Sequence, residues 1–441
     1  MKLSTQKIAE ILAYREKIIF SDVENISTDS RNIQNNDLFI AIKGEKFDGH
    51  DYVGQVLNKG ACAAIVEHYV EGVPHEYQIV VQDSLDAYGK IGAYVRDNFK
   101  GTVIGLTGSA GKTTTKEEIK FLLSHFGKVY ASVGNHNNFI GVPQTLCNLD
   151  LTADFAVVEM GMSAKGEILR LSSYVKPDIA LVTNVYPMHI EFFEDLEHIA
   201  MAKAEIFQNL KKGGTAVINE DTNFADVLIH AARQKTDNII LFGKNHHLEA
   251  DFELQDDGEH HLYNAWAALS VVQALNLDVH KAASFIKDFG ALDGRGKKHT
   301  LKLKTGGTYT LIDDSYSGQP EAMKLAIKSL DKMPCKGRKI AVLGKMAELG
   351  EHSKQKHLEI SEALSKTNID IVVGVCEEMK DMLLNLPPRI KQYYFASKDG
   401  LSDFLLNQLL QNEDILLIKG ARYSSKLYQV TAELLEKGNE E

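Results

Sequence analysis

Cysteine is scarce in this chain. Cys62, Cys147, Cys335 and Cys376 are scattered over 441 positions with no C-x-x-C pair. That excludes a disulfide scaffold and a cysteine-rich zinc site, and predicts core thiols in a reducing cytoplasm. Proline is equally sparse, at eight residues, so no proline-rich spacer is present. No apolar run is long enough to span a bilayer, and no membrane insertion is expected. Residues 1–10 lack the apolar centre of an export signal and read as an amphipathic helix. Positive charge is in deficit: 49 Lys and Arg against 60 Asp and Glu leave −11. Neither nucleic acid nor an anionic membrane surface is therefore an expected partner. A small anion is not excluded, because a few cations and a helix N-terminus can focus a local positive field.

What is present is an alternation of apolar strands and helices, on a chain too long for one core. Three α/β units are predicted, over 1–99, 100–293 and 294–441. In the second, strands at 103–107, 155–159, 179–183, 215–219 and 239–242 are continuous and apolar, with helices near 112–126 and 198–210. Such runs predict a mostly parallel sheet covered on both faces. The polar, glycine-bearing stretch 293–299 reads as a linker. The third unit repeats the pattern, with strands at 309–313, 339–343, 369–373, 392–395 and 415–419. Ligands of such sheets sit beyond the carboxyl ends of the strands, which gives weight to residues found there.

The strongest signal lies at 103–115: an apolar strand, the loop Gly108-Ser109-Ala110-Gly111, then Lys112-Thr113-Thr114 at a helix start. Gly108 and Gly111 let backbone N–H groups converge on phosphate oxygens. Lys112 supplies a cation for the β- and γ-phosphates and Thr113 a hydroxyl for Mg²⁺. The first glycine of the standard G-x-x-x-x-G-K-[ST] spacing is replaced by Leu106. A bare glycine turn accounts for Gly108 but not for the adjoining Gly-Lys-Thr-Thr.

Other candidates also follow strands. Glu159 ends an apolar strand, as a helix cap or surface carboxylate or as an oxygen ligand for Mg²⁺. His189 sits in the loop after Thr183-Asn184. Lys203 falls in an apolar helical stretch, either snorkelling to solvent or facing a metal, and the residues alone leave both open. Polar loops at 27–31 and 43–50 hold Ser30, Arg31, Lys43 and His50, which read as turn chemistry or as a binding loop. Asp313-Asp314-Ser315-Tyr316 follows a strand of the third unit, and Arg295 lies in the linker, where a cation can swing onto phosphates as domains close.

Together these motifs resemble the Mur ligase family. The likeness runs nearly end to end, through Thr28-Asp-Ser-Arg31, Asp48-Gly-His50, the offset-glycine loop 107–115, Gly134-Asn-His-Asn-Asn-Phe-Ile-Gly-Val-Pro143, Val158-Glu-Met-Gly161, Ala202-Lys-Ala-Glu-Ile-Phe207, Asn264-Ala265, Gly294-Arg295 and Lys419-Gly420. It implies an N-terminal UDP-substrate domain, a central P-loop ATPase domain and a C-terminal Rossmann-like domain. It also implies ATP-driven amide formation through an acyl phosphate. The stretch 134–143 is similar to the members that join D-alanyl-D-alanine to UDP-N-acetylmuramoyl-tripeptide. An amino-acid-adding member, a folylpolyglutamate synthetase or a non-catalytic relative are the alternatives.

By this resemblance Ser30, Arg31, Lys43 and His50 would face the uridine-diphosphate end, and Asn135, Asn138 and Tyr316 the substrates. Lys112, with Gly108 to Thr114 around it, would hold the ATP phosphates. Asn264 would meet adenine, Arg295 the phosphates and Asp314 the ribose. Thr113 and Glu159 would hold one Mg²⁺; His189 and a carbamylated Lys203 would hold a second. A monomer is expected. The chain departs from the family at Asp313-Asp-Ser-Tyr-Ser-Gly-Gln-Pro320, where Ser317 and Gln319 replace asparagines, at Lys345, where an aspartate is usual, and at Ala421. These departures gather where the acceptor is expected.

Overall fold

Five apolar runs and one short edge segment form a six-stranded, wholly parallel sheet in a computed structural model. The model describes residues 3–44, 46–188, 190–246, 248, 250–255 and 258–439. Across this sheet the strands run Ile239–Phe242, Thr215–Asn219, Ile179–Val182, Thr102–Thr107, Phe155–Glu159 and Val129–Ala131. The interiors of the four central strands are almost fully buried, as a sheet with helices on both faces requires. The phosphate-loop strand thus lies between the strand ending in Glu159 and the strand leading to Thr183-Asn184. Strand order alone gathers three motifs, widely separated in sequence, at one sheet edge.

A smaller parallel sheet precedes it, in the order Ile26–Ser27, Leu38–Ile40, Ala63–Val66 and Gln78–Val80. The helix Ser84–Asn98 joins the two. Its Arg96, 1% exposed, donates from Nε to Val175 O at 2.9 Å, and from Nη2 to Lys176 O at 2.9 Å and Asp178 Oδ2 at 2.7 Å. Both sheets belong to one compact unit, Met1–Val185 with Ala200–Phe252 and Tyr263–Ile286.

The second unit comprises Tyr186–Ile199, Glu253–Leu262 and Lys287–Glu441. Its sheet runs Lys297–Lys302, Thr308–Asp314, Ile415–Lys419, Lys339–Gly344, Ile371–Val375 and Lys391–Phe395, parallel except for the first strand. That first strand corrects the reading of 293–299 as linker from Lys297 onward. It is a solvent-facing edge strand in which Leu301 alone is buried, and its lysines are what a protected sheet edge carries. Among the described residues no helix is long and apolar enough to cross a membrane.

Candidate active site

At the head of the central sheet the chain turns from Thr107 through the glycine loop into the helix Lys112–Leu123. Gly111 adopts φ +77°, and a Cβ there would meet Asn264 Oδ1 at 2.8 Å; a Cβ on Gly108 would overlap Thr183 Oγ1 at 1.9 Å. Both positions therefore require glycine on contact grounds, and Gly111 on backbone grounds as well. Lys112 Nζ folds back onto Gly108 O at 2.8 Å, curling over the loop it closes.

The loop is held from the neighbouring strand. Asn184 grips Ala110 with both ends of its amide: Oδ1 accepts from Ala110 N at 2.7 Å and Nδ2 donates to Ala110 O at 3.0 Å. Thr183 Oγ1 donates to the same carbonyl at 2.9 Å, and Ser109 N donates to Asn184 O at 3.0 Å. Sequence reasoning gave Asn184 no role. Its signal was the polar amide just past a strand end.

On the other side Glu159, 1% exposed, accepts from Thr113 Oγ1 at 3.0 Å and from Asn137 Nδ2 at 2.7 Å. A hydroxyl and a carboxylate side by side at the start of the phosphate helix are oxygen donors of the kind Mg²⁺ takes. Among the described residues no cluster of three or more His, Cys, Asp and Glu side chains could hold a metal. The expected His189 lies outside the described residues.

Lys203 is buried at 2% exposure, and among the described residues its Nζ has no hydrogen-bond or ion-pair partner. Burial drives its pKa far below the ordinary lysine value, and the charge of Lys112 pushes the same way. The side chain is thus buried and does not snorkel to solvent. Asn264 stands behind the loop, its Oδ1 taken by Thr115 Oγ1 at 3.1 Å.

The remaining candidates divide. Arg31 is exposed and forks onto Asp29, Nε to Oδ1 at 2.8 Å and Nη2 to Oδ2 at 2.9 Å. Ser30 is half-buried and offers its carbonyl to Lys59 Nζ at 3.0 Å, and Lys43 is exposed. His50 is buried and spent on the fold: Nδ1 meets Asp48 Oδ1 at 2.6 Å and Nε2 accepts from Glu67 N at 2.8 Å. Both ring nitrogens are satisfied internally, which explains a histidine at this position without a ligand. Asn135 is exposed. Asn138 Oδ1 accepts from Ile140 N and Gly141 N at 3.1 and 2.9 Å, starting the helix Gly141–Cys147. The neighbouring Asn137, which the sequence reading passed over, is the one that reaches Glu159.

Within the second unit, Asp314 and Lys419 are register partners at adjacent strand ends and pair at 2.6 Å. Burial raises the Asp314 pKa, opposed by Lys419. Arg295 lies 4.1 Å over the Tyr316 ring, and Arg422 lies 5.2 Å from it, so the aromatic carries two guanidinium groups.

Comparison with known proteins gives this geometry a family. The Mur ligase family catalytic domain matches residues 22–90, the Mur ligase middle domain 106–263, and the Mur ligase glutamate ligase domain 300–422. The chain belongs to the Mur ligase family. A relative from Escherichia coli, UDP-N-acetylmuramoyl-tripeptide–D-alanyl-D-alanine ligase, is 33% identical over 94% of each chain. Among solved structures, MurF from Acinetobacter baumannii superposes with a TM-score of 0.88 at 29% identity, covering 99% of both chains. MurF from Thermotoga maritima in complex with ADP gives 0.77 at 28% identity, covering 94% of this chain and 97% of that one.

Proposed function

We propose that this chain is an ATP-dependent ligase that joins D-alanyl-D-alanine to the terminal carboxylate of UDP-N-acetylmuramoyl-tripeptide, a step of peptidoglycan precursor synthesis. The observation that carries the reading is the convergence on Glu159 of Thr113, from the phosphate helix, and Asn137, from the loop that resembles the dipeptide-adding members. Full-length likeness to ligases of that name supports it.

The donor carboxylate attacks the γ-phosphorus of ATP, giving an acyl phosphate and ADP. The dipeptide amine then attacks the acyl carbon and phosphate leaves. Lys112, now lying on Gly108 O, would move onto the phosphates and offset charge on the transferring group. The hydrogen bonds of Thr183 and Asn184 keep the loop in shape before nucleotide arrives. Thr113 and Glu159 would hold Mg²⁺, with His189 and Lys203 at a second ion; such ions neutralise phosphate charge as it builds. An uncharged Lys203 amine is the form that adds CO₂, losing an N–H proton as the N–C bond forms, and the resulting carbamate would offer oxygen ligands. Ser30, Arg31 and Lys43 would face the uridine diphosphate, and Arg295, Asp314 and Tyr316 the nucleotide and acceptor. The domain limits 1–99, 100–293 and 294–441 belong to the same reading.

The test is ADP release with UDP-N-acetylmuramoyl-tripeptide, with and without D-alanyl-D-alanine. Release that depends on the dipeptide supports the proposal; release that ignores it and requires a single amino acid sinks it. For the lysine, Lys203→Ala should lose at least a hundredfold in rate and regain activity with a short-chain carboxylate. Unchanged activity in that variant would remove Lys203 from the site.

A further inference from the structure

Lys116 lies one turn past Lys112 on the phosphate helix, and none of its surface reaches solvent. Its ammonium has three donors, and each meets an acceptor: Ser132 O at 2.7 Å, Gly134 O at 2.6 Å and Glu117 Oε1 at 3.0 Å. Two of the three belong to the segment between the strand Val129–Ala131 and the helix Gly141–Cys147. Within that segment short-range bonds, His136 N to Val133 O at 3.1 Å and Asn137 N to Asn135 O at 2.7 Å, join neighbouring residues. Val133, Gly134, Asn135 and His136 are exposed, and Gly134 is in the left-handed region at φ +53°.

Its far end is nevertheless placed with care. Asn137 donates from Nδ2 to Glu159 Oε1 at 2.7 Å, and its carbonyl accepts from Gly161 N at 2.7 Å. Gly161 permits this approach, since a Cβ there would stand 2.9 Å from Asn137 Oδ1. At the near end Ser132 Oγ accepts from Glu159 N at 3.2 Å. The loop therefore begins and ends on Glu159, and Lys116 pins the span between to the helix that carries Lys112 and Thr113.

We propose that Lys116 is a positioning residue that ties the phosphate helix to the 132–138 loop, so that Asn137 is held on Glu159 where the donor peptide must present its carboxylate. The proposal rests on the ligase reading above for the donor. Its structural half stands apart from that reading. Lys116 touches neither nucleotide nor donor; it acts through the two carbonyls. A neutral side chain of similar length would free the loop and leave the phosphate loop, held by Thr183 and Asn184, as it was.

Amide hydrogen exchange on the full-length protein tests this directly. In Lys116→Met, exchange over 132–138 should quicken at least tenfold while 105–113 stays as in the parent. The donor KM should rise about tenfold, with the affinity for a fluorescent ATP analogue within threefold, and Lys116→Arg should recover most of the loss. Combined with Asn137→Ala, Lys116→Met should add little to the donor KM, because both act on one contact. Unchanged exchange over 132–138 in a folded variant overturns the proposal. So does a parallel loss of ATP affinity, donor affinity and melting temperature, the mark of a merely structural lysine. If Lys116→Met does not fold, Asn137→Ala takes its place: an unaltered donor KM in that variant overturns the proposal. A parent enzyme that ignores the tripeptide donor would instead refute the ligase reading, and the exchange comparison would still judge Lys116.

Discussion

Asn184→Ala should weaken ATP binding about thirtyfold while leaving the fold intact. The side chain makes two hydrogen bonds to Ala110, at 2.7 and 3.0 Å, and among the described residues no other replaces the one to the Ala110 N–H. The carbonyl keeps Thr183 Oγ1, and Ser109 keeps the main-chain oxygen of residue 184. Two net hydrogen bonds at about 1 kcal/mol each amount to about 2 kcal/mol of lost loop organisation. At about 1.4 kcal/mol per decade, ordering that loop at the moment of binding costs about thirtyfold in affinity. Titration of a fluorescent ATP analogue measures this, with a melting curve beside it to confirm that the core is unaffected. Asn184→Asp is the sharper control, since it keeps the acceptor, loses the donor and adds a negative charge to a loop built for phosphates. It should bind more weakly than the alanine variant. Affinity within threefold of the parent for Asn184→Ala, or Asn184→Asp binding as well as Asn184→Ala, would refute the view that this amide shapes the loop.

Arg96→Met removes a buried guanidinium from Val175 O, Lys176 O and Asp178 and should cost about 3 kcal/mol in denaturant unfolding. ATP affinity should change less than twofold, because no part of the phosphate loop touches Arg96. The Glu118 carboxyl is pushed from 4.5 up to about 8 by burial. The folded chain therefore keeps a proton that the unfolded chain releases above 4.5, and this contribution to stability falls as pH rises from 4.5 to 8. Glu118→Gln should flatten that decline, read as urea midpoints at pH 5 and pH 8; equal slopes in the two proteins would contradict it.

The parallel sheets were legible because a strand buried on both faces must be mostly apolar, and the runs ending at Glu159, Asn219 and Lys419 are. Edges were not. Lys297–Lys302 buries Leu301 and little else, and Val129–Ala131 is three half-buried residues, so neither carries a periodic signal. The α-helix Leu401–Phe404 widens to a π-turn at Leu405–Leu409, a change of hydrogen bonding that apolar spacing does not announce. Within the candidate site, the residues the sequence singles out are those whose chemistry is intrinsic: Lys112, Thr113, Glu159 and Lys203. Asn184 and Asn137 were missed because an amide that bonds a neighbouring segment is recognisable only once strand order is known. His50 shows the converse, a reactive side chain whose two nitrogens the fold itself consumes.

The departures expected on the acceptor side can be weighed in the same terms. Lys345 follows the strand Lys339–Gly344 where the family pattern has an acid, and its ammonium pairs with Glu378 within its own unit. Against the effect of partial burial, Lys345 holds the Glu378 carboxyl below its usual range. The lysine's charge is thus largely consumed before any acceptor arrives. Both side chains are about a third exposed, at 36% and 32%, so the pair contributes at most about 1 kcal/mol. Lys345→Met combined with Glu378→Gln should accordingly cost little stability and leave the acceptor KM within threefold. Either change alone uncovers one charge of the pair, and beside a zwitterionic dipeptide each should shift the acceptor KM several-fold. Steady-state kinetics over a range of D-alanyl-D-alanine separate the cases. A tenfold rise in acceptor KM for the double variant would mean that Lys345 leaves Glu378 to hold the dipeptide carboxylate, making it a contact and not a balanced charge.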